Sequence, residues 1–378
     1  MSQINKVFLL LFVHKKKCFR SLMPALLEIN LDAIADNWRM LAAQHGAPTA
    51  GVIKANAYGL GAAQVAPKLL AAGCRHFFTA HLSEALAVRP LIPGTLLAVL
   101  NGLEPGAEQD FSAHIITPVL GSLHELALWR AHAARLARPL PTILHIDTGM
   151  ARLGLSAAEL AALREDPALL TGLNIIYVMT HLVSADLPDT TLSLRQAEKF
   201  FTAARQFPGA QTSFANSSGL FLGPEFASNL ARPGAALYGL NPTASAPNPM
   251  RETVRLTAPI LQIHHVAPGE TVGYSGAWTA QRPSRIATLG VGYADGYHRT
   301  LSNRATARFD GTTLPLVGRV SMDLTTFDIT DIPAGPGDTL ELIGPGHCAD
   351  ALGVEAGTNG YEILTSLGPR YTRRYIGA

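Results

Sequence analysis

Cysteine is scarce in this chain: Cys18, Cys74 and Cys348 are the only three in 378 residues, odd in number and scattered. They make neither a disulfide framework nor a paired zinc-ligand spacing, a usage that fits a reducing cytoplasm. Charge is sparse as well, at 15% of residues, and nearly balanced at a formal net +2, with no basic run beyond Lys15-Lys16-Lys17. A nucleic-acid footprint is therefore not indicated. The run Val7–Val13 holds only seven apolar residues, where a membrane span needs about 20. Gly-x-Gly-x-x-Gly and Walker-type loops are missing. The thirteen histidines include the neighbours His264-His265 but no His-Glu-x-x-His pair, so no dinucleotide loop and no metal site is expected.

What is present is material for a large core: hydrophobic residues make up 48% of the chain, and the length suggests two domains or one barrel with an appendage. Residues 1–22 read as an extension foreign to the fold. The main basic cluster follows the apolar run, and no small-residue cleavage site is evident, which disfavours a secretory signal. From about Pro24 to Gly239 short apolar runs alternate with amphipathic stretches. Helices are expected at Leu31 to His45, Ala62–Ala72, Leu82–Val88, Ser122–Ala137, Ser156–Arg164 and Thr191–Gln206. Strands are expected up to Lys54 and at 77–80, 95–100, 115–120, 142–146, 174–180 and 212–215. Such alternation implies a parallel sheet, and its length favours a closed (β/α)8 barrel of the TIM type over a doubly wound open sheet. The segment from Asn241 to Pro249, rich in Pro, Asn and Ala, reads as a linker. Beyond it, strand-like runs at 255–266, 284–290, 306–309 and 339–343 predict an all-β domain. The expected division is thus 1–22, a barrel over 23–240, and linker plus β-domain over 241–378.

Lys54 stands in Gly51-Val52-Ile53-Lys54-Ala55-Asn56-Ala57-Tyr58-Gly59-Leu60-Gly61. An apolar run there delivers a lone lysine to a glycine-punctuated turn. At the rim of a core, partial desolvation lowers a lysine's pKa, and Schiff-base chemistry needs the neutral amine. Further polar segments fall at the expected strand ends, where barrel chemistry collects. His145-Ile146-Asp147 leads to Arg152; Thr180-His181 ends another strand. Asn216-Ser217-Ser218-Gly219 offers a phosphate cradle, and Arg232-Pro233-Gly234-Ala235 brings a second arginine. Singly, each has a plainer reading: Asp147 as a cap, Arg152 as a solvated ion-pair partner, His181 as a satisfied core histidine.

Together, and in this order along the chain, these segments resemble the alanine racemase family from about Met23 to the C-terminus. The resemblance implies a homodimeric, cytoplasmic enzyme using pyridoxal 5'-phosphate (PLP) on a small amino acid, and interconverting L- and D-alanine for peptidoglycan. It makes Lys54 the cofactor-binding lysine and one catalytic base. Tyr58, Ser217 with Asn216, and Tyr361 then serve the phosphate, with backbone at Gly234 and Ala235. His181 lies beside the ring, Arg232 meets its nitrogen, and Arg152 contacts its phenolic oxygen and the substrate. Gly273-Tyr274-Ser275-Gly276 puts Tyr274 at the opposite-face base, supplied by the partner subunit. Tyr293 matches the entrance constriction, and Met322-Asp323 the stretch reaching the neighbouring subunit's substrate. Two bases on opposite faces of one carbon allow inversion without turning the substrate. An arginine at the ring nitrogen weakens the electron sink.

One departure bears on chemistry. Many members of the family carry a carbamylated lysine where this chain has His145, and histidine cannot form that group. Activity independent of bicarbonate is expected, with neutral His145 accepting a hydrogen bond from Arg152 or a small anion filling the gap. Other readings are a racemase of broader range, a PLP-dependent decarboxylase (opposed by Arg232), a non-catalytic PLP carrier, and a barrel of unrelated chemistry.

Overall fold

A computed structural model describes residues 24–243 and 245–377; the extension expected at 1–22 lies outside the described residues. Two compact units emerge, residues 31–251 and residues 24–30 with 252–377. The first strand, β1 (Leu26–Asn30), thus groups with the C-terminal unit. The reason is a ladder: β1 lies between parallel β17 (Thr372–Ile376) and antiparallel β9 (Val254–Val266). Residues 241–251 group with the barrel unit. Asn248 Nδ2 donates to Gly239 O at 2.8 Å, and Asn37 Oδ1 accepts from Arg251 N at 2.8 Å.

In the barrel unit, α1 (Leu31–His45) buries Leu31, Ile34, Ala35, Trp38 and Leu41, the three-and-four spacing of one helix face. Seven parallel strands follow in sequential order: β2 (Gly51–Val52), β3 (His76–Thr79), β4 (Leu96–Val99), β5 (Thr117–Leu120), β6 (Leu140–His145), β7 (Leu173–Met179) and β8 (Gln211–Ser213). Residues 230–232 close the ring as the eighth stave, bridging Ser213 on one side and Thr49 on the other. That segment is too short to show as an apolar run. Strands such as β3 and β5 are buried on both faces, as parallel strands under a helical coat must be. The outer helices include α2 (Ala62–Ala72), α3 (Leu82–Val88), α4 (Glu108–Ala113), α5 (Leu123–Leu136), α6 (Ala157–Glu165) and α7 (Thr191–Ala204).

In the other unit, β9 pairs with β1, β12 (Ser284–Leu289) and β16 (Thr339–Ile343). The strands β13 (Thr306–Phe309), β14 (Thr312–Pro315) and β15 (Thr325–Asp328) complete the sheet, and β10 (Thr271–Val272) with β11 (Trp278–Thr279) forms a separate ribbon. Val272, Ile286 and Val317 pack together beneath Val266 and Trp278. Two short helices, α8 (Ala349–Ala356) and α9 (Gly360–Ser366), accompany the strands. The fold is α/β: a (β/α)8 barrel followed by a β-domain. No helix among the described residues is long and apolar enough to cross a membrane.

Candidate active site

Lys54 follows β2 after the single residue Ile53, and the four residues after it all carry left-handed backbone: Ala55, Asn56, Ala57 and Tyr58 have φ of 51°, 55°, 55° and 54°. L-residues enter this region at about 1–2 kcal/mol each, so the turn is held from outside. Asn56 Oδ1 accepts from Ala62 N at 2.8 Å, and Ala57 N donates to Ile53 O at 2.9 Å. Tyr58 stacks on buried Tyr238 with centroids 4.7 Å apart, while the Tyr238 hydroxyl donates to Val52 O at 2.9 Å. The left-handed turn brings Tyr58 against the backbone of Gly234: a Cβ there would lie 2.4 Å from the phenolic oxygen. Ser217 Oγ in turn accepts from Gly234 N at 3.0 Å and Ala236 N at 3.2 Å. Tyr58, Ser217, Gly234 and Ala235 therefore meet in one cradle of hydroxyls and amides. Asn216 faces a different task, its Oδ1 accepting from Gly219 N at 2.9 Å.

Burial, reinforced by Arg152, lowers the Lys54 pKa, and Glu84 works against the shift. Arg232 is 5% exposed. It donates to Ser213 Oγ at 2.6 Å and Thr180 O at 2.5 Å, and burial brings it down to about 10. No carboxylate pairs with it among the described residues. A buried guanidinium without a counter-anion costs free energy unless something else accepts its hydrogen bonds. Burial and the charges of Arg232, Arg152 and Lys54 push His181 down to about 3. His145, at the end of β6, is held to about 4 by burial and the same two arginines. Both rings are consequently neutral at pH 7, and no hydrogen bond joins His145 to Arg152. Asp147 Oδ1 accepts from Gly149, Met150 and Ala151 N at 2.8, 3.0 and 3.2 Å; it caps the loop that carries exposed Arg152.

Lys54, Arg152, His181 and Arg232 are thus electrostatically one cluster at the strand ends of the barrel. Gln196 is a member the sequence did not disclose: its Nε2 donates to Thr148 Oγ1 and to His181 O, both at 2.9 Å, and its Oε1 accepts from Val183 N at 2.9 Å. A lone glutamine in an amphipathic helix gives no signal of this task. Among the described residues no group of His, Cys, Asp and Glu could hold a metal ion.

The remaining expected residues lie in the β-domain unit. Tyr274 follows β10 and is 68% exposed. Arg319 Nη1 donates to Ser275 Oγ beside it at 3.3 Å. Tyr293, Met322 and Tyr361 are also exposed. Tyr293 N donates to Ser321 O and Ala294 N to Met322 O, both at 3.0 Å, so Tyr293 stands next to Met322 and Asp323.

A strand-end lysine beside a buried arginine that has no carboxylate partner among the described residues marks a candidate enzyme site on a TIM-type scaffold. Family models narrow this further: residues 29–242 match the alanine racemase N-terminal domain and 253–375 the alanine racemase C-terminal domain. The chain is 60% identical to an alanine racemase of Acidiphilium cryptum, covering 92% of this chain and 97% of that one. It is 50% identical to an alanine racemase of Rhodospirillum rubrum, covering 93% and 96% respectively. Among solved structures, alanine racemase from Bartonella henselae with covalently bound pyridoxal phosphate is 39% identical at a TM-score of 0.90, over 93% of this chain and 99% of that one. The chain belongs to the alanine racemase family and is an isomerase.

Proposed function

We propose that the protein interconverts L- and D-alanine with PLP, Lys54 acting on one face of the substrate Cα and Tyr274 of a second subunit on the other. The observation that carries this reading is Arg232, a buried cation with neutral hydrogen-bond partners and no carboxylate. A pyridine nitrogen is the kind of acceptor such a group calls for, and no acidic side chain, as a decarboxylase would need at that nitrogen, pairs with Arg232 among the described residues. Tyr58, Ser217, Gly234 and Ala235 suit a phosphate, Asn216 supports that loop, and neutral His181 suits the side of an aromatic ring. Tyr361, in the β-domain unit, keeps the phosphate role that the resemblance implies. When bound, PLP supplies an electron-accepting ring that makes the Cα–H bond of alanine acidic. Arg232 moderates that acidity by keeping a proton off the ring nitrogen. The lowered Lys54 pKa leaves a fraction of its amine free to take the Cα proton near neutral pH. Arg152, without an ion-pair partner among the described residues, is the cation for a substrate carboxylate.

Exposed Tyr274, Tyr293 and Met322 in one unit are what a homodimer with shared sites would cover. Met322, Asp323 and Tyr293 then limit the pocket to a small side chain. We assign the enzyme to the cytoplasm, supplying D-alanine for peptidoglycan. Incubation of PLP-loaded protein with L-alanine, followed by chiral chromatography, should give nearly equal L- and D-alanine. Unchanged L-alanine would sink the proposal.

A further inference from the structure

Beyond the backbone bonds from Tyr293 N and Ala294 N, the segment bearing Met322 and Asp323 and the turn bearing Tyr293 share a side-chain tie. The Arg370 guanidinium donates to Asp295 through Nε at 2.6 Å and Nη2 at 2.8 Å, and its Nη1 reaches Asp323 Oδ1 at 2.8 Å. The two arms stand in different surroundings. Asp295 is 3% exposed and also accepts from Gly292 N at 2.9 Å, so the inner arm compensates a buried carboxylate and belongs to stability. The Asp323 side chain is 57% exposed and Arg370 48%; an ion pair so open to water adds little to stability. What the outer arm does provide is direction, because a planar fork pinned on Asp295 fixes where its third nitrogen points.

Backbone bonds complete the assembly. Gly368 N donates to Asp295 O at 3.0 Å, and a Cβ on Gly296 would lie 1.9 Å from Ser366 O. Three segments distant in sequence, around 293, 322 and 370, are thereby bonded to one another.

We infer that Arg370 is a positioning residue: it orients Asp323, and with it Met322 and Tyr293, for the alanine substrate. This inference rests on the substrate role proposed above for those three residues. Lysine at 370 keeps the charge but lacks the fork, so it cannot serve both carboxylates. In PLP-loaded Arg370→Lys, kcat/KM for L-alanine should fall about tenfold, mostly through KM, because the lost contact orders the substrate site. In an Asp323→Asn background the same change should have no further effect, since the two residues act as a unit. Should Arg370→Lys fold poorly, the pair Arg370→Gln with Asp295→Asn removes the fork without stranding a buried charge, and it should show the same rise in KM. An unchanged KM, or fully additive losses in the double variant, would overturn the inference while leaving the racemase reading intact. A wild-type protein inactive on alanine would instead remove the reading beneath it.

Discussion

At the scale of single residues, the site is a contest between burial and charge. Burial with Arg232 and Arg152 acts on both histidines, and Lys54 on His181 as well, and the histidines yield: His145 is held to about 4 and His181 to about 3. The unfolded chain takes up these protons near 6.5. The folded chain refuses them until the pH is far lower, so between those values the unfolded state binds more protons. Stability is therefore full above pH 6.5 and falls on acidification, by an amount on the order of 3 kcal/mol for His145 alone. Urea titrations of the apoprotein at pH 7 and pH 4.5 should show this loss, and His145→Gln should shrink it; an equal loss in the variant would refute the assignment. Neutral His145 also cannot stand in for a carbamylated lysine. Activity in carbon-dioxide-free buffer should match that with bicarbonate, and restoration by bicarbonate would contradict this. Arg232→Glu should raise side transamination, read as pyruvate from alanine, because a carboxylate favours protonation of the ring nitrogen. Absence of pyruvate from a folded, cofactor-loaded variant would show the electronic argument to be wrong.

At the scale of elements, the left-handed turn after Lys54 is where local preference and global fold disagree. Four L-residues at positive φ are carried by Asn56, Tyr238 and the neighbouring helix, and the return is the contact of Tyr58 with Gly234. Exposed Ala55, at φ 51°, has no packing reason to be alanine. Ala55→Gly should raise stability by about 1 kcal/mol, measured by thermal melting, as relief of a left-handed penalty exceeds glycine's entropy cost. A lower melting temperature would mean the turn is not left-handed in solution. Most of the periodic helices were legible in the sequence, α2 and α3 to the residue, since their apolar spacing is set by burial; the short α4 was not. The strand ends too could be read, because parallel strands are short apolar runs between turns. The left-handed turn, the eighth stave at 230–232 and the return of β1 to the C-terminal sheet were not. Each is decided by partners far away in the chain. The same holds for Gln196, whose three hydrogen bonds exist only once β6 and β7 lie side by side, and for Arg370.

At the scale of the whole molecule, the residues proposed for one reaction are divided between two units of the chain, with Tyr274 68% exposed. If partner subunits complete each other's sites, two dead variants should revive one another. Lys54→Ala and Tyr274→Ala, each lowered about 10²–10⁴-fold by loss of a base, should regain activity on co-expression through the one intact site of a mixed dimer. Persistent inactivity of a verified mixed dimer would place both bases in the same chain. The most direct test of the central claim follows the substrate carbon itself. PLP-loaded protein is incubated with L-alanine in D₂O, Cα–H is followed by NMR, and the product is resolved on a chiral column. Opposed bases predict deuterium at Cα together with inversion to D-alanine; no exchange, or exchange with full retention of the L-form, would contradict it.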